Sequence, residues 1–249
     1  MALYYLMKVI SRIFCLLPLK AGMLFGDLLG RLSLLFVPRW RMKMAVANIE
    51  ECLGISGAEA EKAARQSVVK FGRMIVEVLR FPLLNKDNIE EYVKIDGLRY
   101  LEEANARGKG VIIATAHFGN WELLGAMIAL KGYDMLSIAR KQNNGAMDRF
   151  INECRQMVGQ TVAYNRGKEG VLSMGRYLKE KKFLGILFDQ DTNDTGVRLA
   201  LFGKPCITPA SICGKNIRQR TGSLSTDGAA DKDFGDGDPQ QPAYVVLGP

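Results

Sequence analysis

One histidine stands in this 249-residue sequence, His117, within the string His117-Phe118-Gly119-Asn120-Trp121-Glu122. Imidazole, with an ordinary pKa of about 6.5, can take a proton from a hydroxyl as that hydroxyl attacks a carbonyl. General-base help of this kind contributes about 10²–10⁴ in rate. A carboxylate beside the ring fixes its tautomer and stabilises the imidazolium that forms, and Glu122 is the candidate for that part. Residues five apart on a continuous helix diverge by about 140°, so the pair needs His117 in the loop before the first turn and Glu122 inside the helix. Gly119 and Asn120 are the substrate-facing candidates of that turn. Glycine lets the backbone approach a ligand closely, and a helix N-terminus offers N–H groups to a phosphate or an oxyanion.

The elements that must position these groups read as alternating strands and helices. The apolar run 111–116 is a buried strand ending at the histidine, followed by a helix to about Leu130. Met135 to Ala139 is a strand ending at Arg140, residues 146–158 form a helix, and Thr161 to Tyr164 is a strand leading to Arg166. A helix over 168–180 precedes the strand Phe183 to Phe188, which ends at Asp189-Gln190-Asp191. This alternation predicts an α/β fold with a mixed, mainly parallel sheet flanked by helices. Ligands collect at the C-terminal ends of such strands, where His117, Arg140, Arg166 and Asp189 all fall. Upstream, Arg39 to Leu53 reads as a basic helix, and Ser56-Gly57-Ala58-Glu59 as a capping box opening a helix that stops at Pro82. Tyr92 to Ile95 is a short strand candidate and Gly97 to Arg107 a helix.

Composition narrows the function classes. Net charge is +8, but from Gly222 onward one Lys faces five Asp, so the preceding body is strongly basic. Such a body fits an anionic partner: a lipid headgroup, a phosphorylated lipid or an acidic carrier protein. No nucleic-acid motif accompanies the charge. The five cysteines are scattered without a CxxC pair, which argues against a disulfide framework and a zinc site and for a reducing setting. No Gly-x-Ser-x-Gly elbow supports a hydrolase.

Residues 1–38 are the most apolar part of the chain, yet Lys8, Arg12, Lys20, Asp27 and Arg31 interrupt them. One or two amphipathic helices lying in a membrane interface, their long cations snorkelling to headgroups, are the expected form. A tilted span over residues 3–19 is the alternative. Up to Lys43 seven Lys or Arg stand against one Asp, a balance that favours a cytoplasmic leaflet.

Over residues 1–212 the sequence resembles the bacterial lipid A late acyltransferases. The resemblance rests on the apolar basic N-terminus, Met42-Lys43-Met44-Ala45-Val46-Ala47-Asn48-Ile49, the His117-x4-Glu122 motif and Arg140 after the next strand. It rests also on Asp189-Gln190-Asp191 with Leu201-Phe202-Gly203-Lys204-Pro205 and Thr208. It implies a glycerol-3-phosphate acyltransferase-like fold at the cytoplasmic face of the inner membrane. It implies transfer of a fatty acyl chain from an acyl carrier protein thioester to a hydroxyl of a lipid A precursor, with a His117/Glu122 pair and no metal or bound cofactor. Arg140 would bind a substrate phosphate or stabilise developing charge, Asp189 and Arg166 would belong to the site edge, and Lys204 would meet phosphate or solvent. The alternatives are an acyltransferase for another glycolipid or a lysophospholipid, or an inactive membrane-bound remnant.

The expected organisation is a membrane-associated helical anchor over 1–38, an acyltransferase domain over 39–221 and a divergent tail over 222–249. After Ala210 the family pattern breaks, the apolar strand expected beyond Arg220-Thr221-Gly222 is missing, and residues 223–242 read as disordered. A shifted reading frame or a truncated gene product would produce such a switch.

Overall fold

The computed structural model describes residues 1–94, 97–164, 168–190, 196–208 and 243–246. The chain opens with four helices: α1 (Ala2–Leu16), α2 (Leu19–Ser33), α3 (Arg39–Leu53) and α4 (Ala58–Leu79). Pro18 and Pro38 stand at the N-caps of α2 and α3, where a missing N–H costs nothing. Gly54, in the left-handed conformation, closes α3. The capping box at Ser56 does not form. Gly57 is the N-cap of α4, and its N–H is taken by Glu50 Oε1 at 2.9 Å.

α2 crosses α4 through glycines. A Cβ on Gly30 would stand 2.4 Å from the Val69 carbonyl oxygen, and one on Gly72 2.2 Å from that of Gly26. The backbones therefore touch, and Arg73 of α4 binds Asp27 of α2 alongside them. α1 is tied down by polar contacts. Tyr4 and Lys8 hold Glu153, Ser11 Oγ donates to the Leu79 carbonyl at 2.5 Å, and the Arg80 guanidinium donates to the carbonyls of Phe14 and Leu17. The last contact satisfies the orphan acceptors at the end of α1. The N-terminal helices are thus packed on the body. Each of α1 and α2 is 15 residues long, and among the described residues no helix is long and apolar enough to cross a membrane. The tilted span over 3–19 is set aside because Leu17 and Pro18 leave the helical conformation.

After a 3₁₀ turn at Phe81–Leu83 come α5 (Ile89–Tyr92) and α6 (Leu98–Ala106). The strand expected over Tyr92 to Ile95 is not found: Tyr92 ends a single helical turn, and Ile95 lies outside the described residues. Then follow β1 (Val111–Thr115), α7 (Trp121–Leu130), β2 (Met135–Ala139), α8 (Gly145–Met157), β3 (Thr161–Tyr164), α9 (Lys168–Lys179) and β4 (Phe183–Leu187). An antiparallel pair, β5 (Val197–Leu201) and β6 (Lys204–Thr208), stands apart, and β7 (Ala243–Val246) pairs with β1. Ala243-Tyr244-Val245-Val246 lies parallel to β1, and 209–242, where the break and the disordered stretch are expected, lie outside the described residues.

The five-stranded sheet has the order β3-β2-β4-β1-β7, all pairs parallel. Both faces of β1 are covered, as a parallel strand requires. Val111 and Ile113 enter a core with Ala126, Met127, Ile128 and Phe150 from α7 and α8. Ile112 turns the other way, into a smaller core with Leu136, Leu184 and Met174 of α9. With β1 and β4 largely buried, the sheet presents its polar chemistry at the strand ends.

Candidate active site

β1 and β4 are adjacent, and Thr115 is paired with Leu187. Counting two residues on from each brings His117 and Asp189 side by side at the C-terminal edge. The Asp189 carboxylate grips the histidine twice. Its Oδ1 lies 2.8 Å from imidazole Nδ1, and its Oδ2 accepts the His117 backbone N–H at 2.8 Å. One carboxylate thus fixes both the ring and the main chain that carries it. With Nδ1–H donated to Asp189, Nε2 carries the lone pair, and no partner engages it among the described residues. The Trp121 ring meets the imidazole edge-on, 4.8 Å between centroids, and leans in turn on Phe71 of α4 at 6.4 Å.

Burial pushes the Asp189 carboxyl up, but the bonds from the His117 ring and backbone outweigh it, and the group ends below the ordinary carboxylate value. Its contribution to stability is complete above the unfolded carboxyl pKa of about 3.9 and disappears as pH falls through the lower folded value. Chemical unfolding followed from pH 5 to pH 3 is expected to show part of the acid loss vanish in Asp189→Asn.

In the structure the Glu122 carboxylate is engaged by Arg155 and not by His117. It sits in the first turn of α7, 9% exposed, and binds Arg155 of α8 in a fork, Nε to Oε2 at 2.8 Å and Nη2 to Oε1 at 2.5 Å. A buried carboxylate needs a cation, and α8 supplies one on the side of α7 to which Glu122 points. Burial opposes the charge on Arg155, and the bond to Glu122 more than restores it, holding the guanidinium above its ordinary value. The expected His117/Glu122 pair is therefore replaced by two separate pairs, His117–Asp189 and Glu122–Arg155.

Asn120 is likewise occupied by the fold. Its Oδ1 accepts the Leu123 N–H at 2.9 Å as the N-cap of α7, and its Nδ2 donates to Glu77 of α4 at 2.6 Å. Gly119 has φ of 58° with open space where a Cβ would go, so the turn itself demands glycine there. Arg140, one residue past β2, is exposed and its guanidinium has no partner among the described residues. Lys204 reaches Glu51 of α3 at 2.7 Å, which ties the β5–β6 hairpin to the N-terminal helices. Arg166 and Asp191 lie outside the described residues. Among the described residues no three His, Cys, Asp or Glu side chains converge as metal ligands.

A histidine held at a sheet edge by a carboxylate can activate a hydroxyl, and Arg140, with no side-chain partner among the described residues, stands at the end of β2 on the same edge. A family profile described as bacterial lipid A biosynthesis acyltransferase matches residues 1–220. The chain belongs to that family. Within the lipid A biosynthesis acyltransferase family and its kin, the chain is 25% identical over 167 residues to a phosphatidylinositol mannoside acyltransferase of Mycobacterium tuberculosis, covering 65% of this chain and 53% of that protein. It is 22% identical over 166 residues to the Mycolicibacterium smegmatis protein of the same name, covering 66% and 55%. It is 24% identical over 187 residues to the lipid A biosynthesis palmitoleoyltransferase of Escherichia coli K12, covering 75% and 60%. The chain spans about half the length of the curated relatives it matches first.

Proposed function

We propose that this chain transfers a fatty acyl group from the thioester of acyl carrier protein to a hydroxyl of a lipid A precursor at the cytoplasmic face of the inner membrane, with no bound metal or cofactor. The observation that carries the reading is the His117–Asp189 pair at the sheet edge of a chain that belongs to this family. His117 Nε2 takes the proton of the acceptor hydroxyl, whose oxygen attacks the thioester carbonyl. Asp189 stabilises the imidazolium, and collapse of the tetrahedral intermediate expels the thiolate, which receives that proton. The N-terminus of α7, just after His117, favours the developing oxyanion. Arg140 binds a phosphate of the acceptor. His117→Ala is expected to lower the rate by at least about 10²-fold with vesicle binding unchanged. Undiminished transfer would rule out the mechanism.

A second acceptor, a phosphatidylinositol mannoside or similar glycolipid, is favoured by the names of the mycobacterial relatives. Incubating the protein with labelled acyl carrier protein thioester and either a tetra-acylated lipid A precursor, a phosphatidylinositol mannoside or a lysophospholipid separates these readings. Labelling of none would leave the inactive remnant.

The membrane reading is supported by the outer faces of the first helices. Leu6, Val9 and Ile13 of α1 and Leu24, Phe25, Leu28 and Leu32 of α2 are exposed, with Phe36 and Trp40 continuing the apolar surface. Burying a leucine side chain contributes about 1.5–3 kcal/mol, so Leu28→Asp with Leu32→Asp is expected to weaken flotation with anionic vesicles at least about tenfold. Unchanged flotation would remove these helices from the membrane account.

A further inference from the structure

Along one face of α8 runs a line of partly buried polar contacts that the reaction does not use directly. α8 carries Asp148, Asn152 and Arg155 at spacings of four and three, so they share one face of the helix. Arg155, besides its fork to Glu122, donates from Nη1 to Asn152 Oδ1 at 3.1 Å. Asn152 Nδ2 donates to the Tyr164 hydroxyl at 3.0 Å, and Tyr164 donates to Asp148 Oδ2 at 2.5 Å. Asp148 is 8% exposed, and its other oxygen accepts the backbone N–H of Gln142 at 2.8 Å. The Gln142 side chain then donates to the Arg140 carbonyl at 3.3 Å.

The line therefore joins the first turn of α7 through Glu122, the loop after β2 through Gln142, and the last residue of β3 through Tyr164. The loop after β2 is the one that carries Arg140. Residues 140–144 are exposed, and Asp148 is the one buried side chain among the described residues that holds this loop's backbone from below. An exposed loop with a single charged anchor takes its position from that anchor, because a hydrogen bond to an ionised carboxylate is about twice as strong as a neutral one.

We propose that Asp148, with Tyr164, is a positioning residue for the anionic acceptor: it sets the loop that presents Arg140. The role rests on the acyl-transfer reading above. It predicts a defect in acceptor use and none in the proton transfer at His117. Asp148→Ala is expected to raise the acceptor KM about tenfold, with kcat within about twofold and donor KM unchanged. Asp148→Asn, which keeps an acceptor for the Gln142 N–H, is expected to recover most of the loss. Tyr164→Phe removes one hydroxyl and carries the test should the alanine variant fail to fold. It is expected to raise the acceptor KM about threefold.

The double variant decides the route. If Asp148 acts through the loop, Arg140→Ala with Asp148→Ala is no worse for acceptor KM than Arg140→Ala alone. Amide exchange of 140–144, measured on the same proteins, is expected to quicken in Asp148→Ala and in Tyr164→Phe. Additive effects on KM, a loss confined to kcat, or faster exchange with an unchanged acceptor KM would each overturn the proposal while leaving acyl transfer standing. A wild-type protein that acylates no acceptor would sink the activity and this role with it, and the exchange data would still report whether the anchor exists.

Discussion

Asp189→Asn is expected to lower kcat by about 10³- to 10⁴-fold while the protein remains folded, because an amide at that place favours the wrong imidazole tautomer and cannot stabilise the imidazolium. The geometry makes the expectation sharp. Asp189 holds Nδ1 at 2.8 Å and the His117 backbone at 2.8 Å, so asparagine can keep one bond and must compromise the other. An Asn Oδ1 aimed at the ring leaves the amino group facing the His117 N–H, donor against donor. An Oδ1 aimed at the backbone leaves the amino group facing Nδ1, which then loses its proton to Nε2 and with it the free base. Either way the lone pair that takes the hydroxyl proton is misplaced or lost. Steady-state kinetics with saturating thioester, beside a thermal melt of the same sample, checks both halves of the expectation.

The second large effect is on stability. Glu122→Ala leaves the Arg155 guanidinium, whose side chain is 14% exposed, without its counter-charge. Breaking one side of a buried pair costs about 3–5 kcal/mol, which for a chain of this size lowers the melting temperature by about 10 °C. Replacing both partners with apolar residues of similar volume, Glu122→Leu with Arg155→Met, is expected to recover much of that loss, since no lone charge is then left buried. Activity per folded molecule in Glu122→Gln is expected to fall far less than in Asp189→Asn. A Glu122→Ala protein that melts like wild type yet is inactive would return this carboxylate to the chemistry.

The contrast between the two carboxylates shows how far the sequence could be read. His117 was legible because an apolar run of strand character stops at it, and the helix that follows is opened by Asn120, a strong N-cap residue. Asp189 was legible as a strand-end group, but its contact with His117 depends on β4 lying next to β1 with Thr115 opposite Leu187. Neither neighbourhood nor register is written in local periodicity, because the strands between them in the chain, β2 and β3, sit on the far side of β4. The contact of Glu122 is hidden from the sequence for a related reason: Arg155 stands 33 residues later, on a helix whose packing side only the assembled core determines. A strand over Tyr92 to Ile95 is expected because Tyr and Val suit strands; Tyr92 instead closes a turn of helix that Asn88 and the acidic residues Glu90 and Glu91 favour. That Trp121 packs against the His117 ring emerges only once the turn at Gly119 is folded.

Whether Asp189 or Glu122 orients the His117 ring has a direct readout because the chain holds a single histidine. ¹⁵N-histidine labelling gives one imidazole spectrum with no assignment to make. The neutral ring is expected to carry its proton on Nδ1, in a hydrogen bond that shields it from exchange, with Nε2 unprotonated. Asp189→Asn is expected to abolish this signature and Glu122→Gln to leave it in place. A ring whose tautomer is unchanged in Asp189→Asn and altered in Glu122→Gln would contradict the pairing of His117 with Asp189.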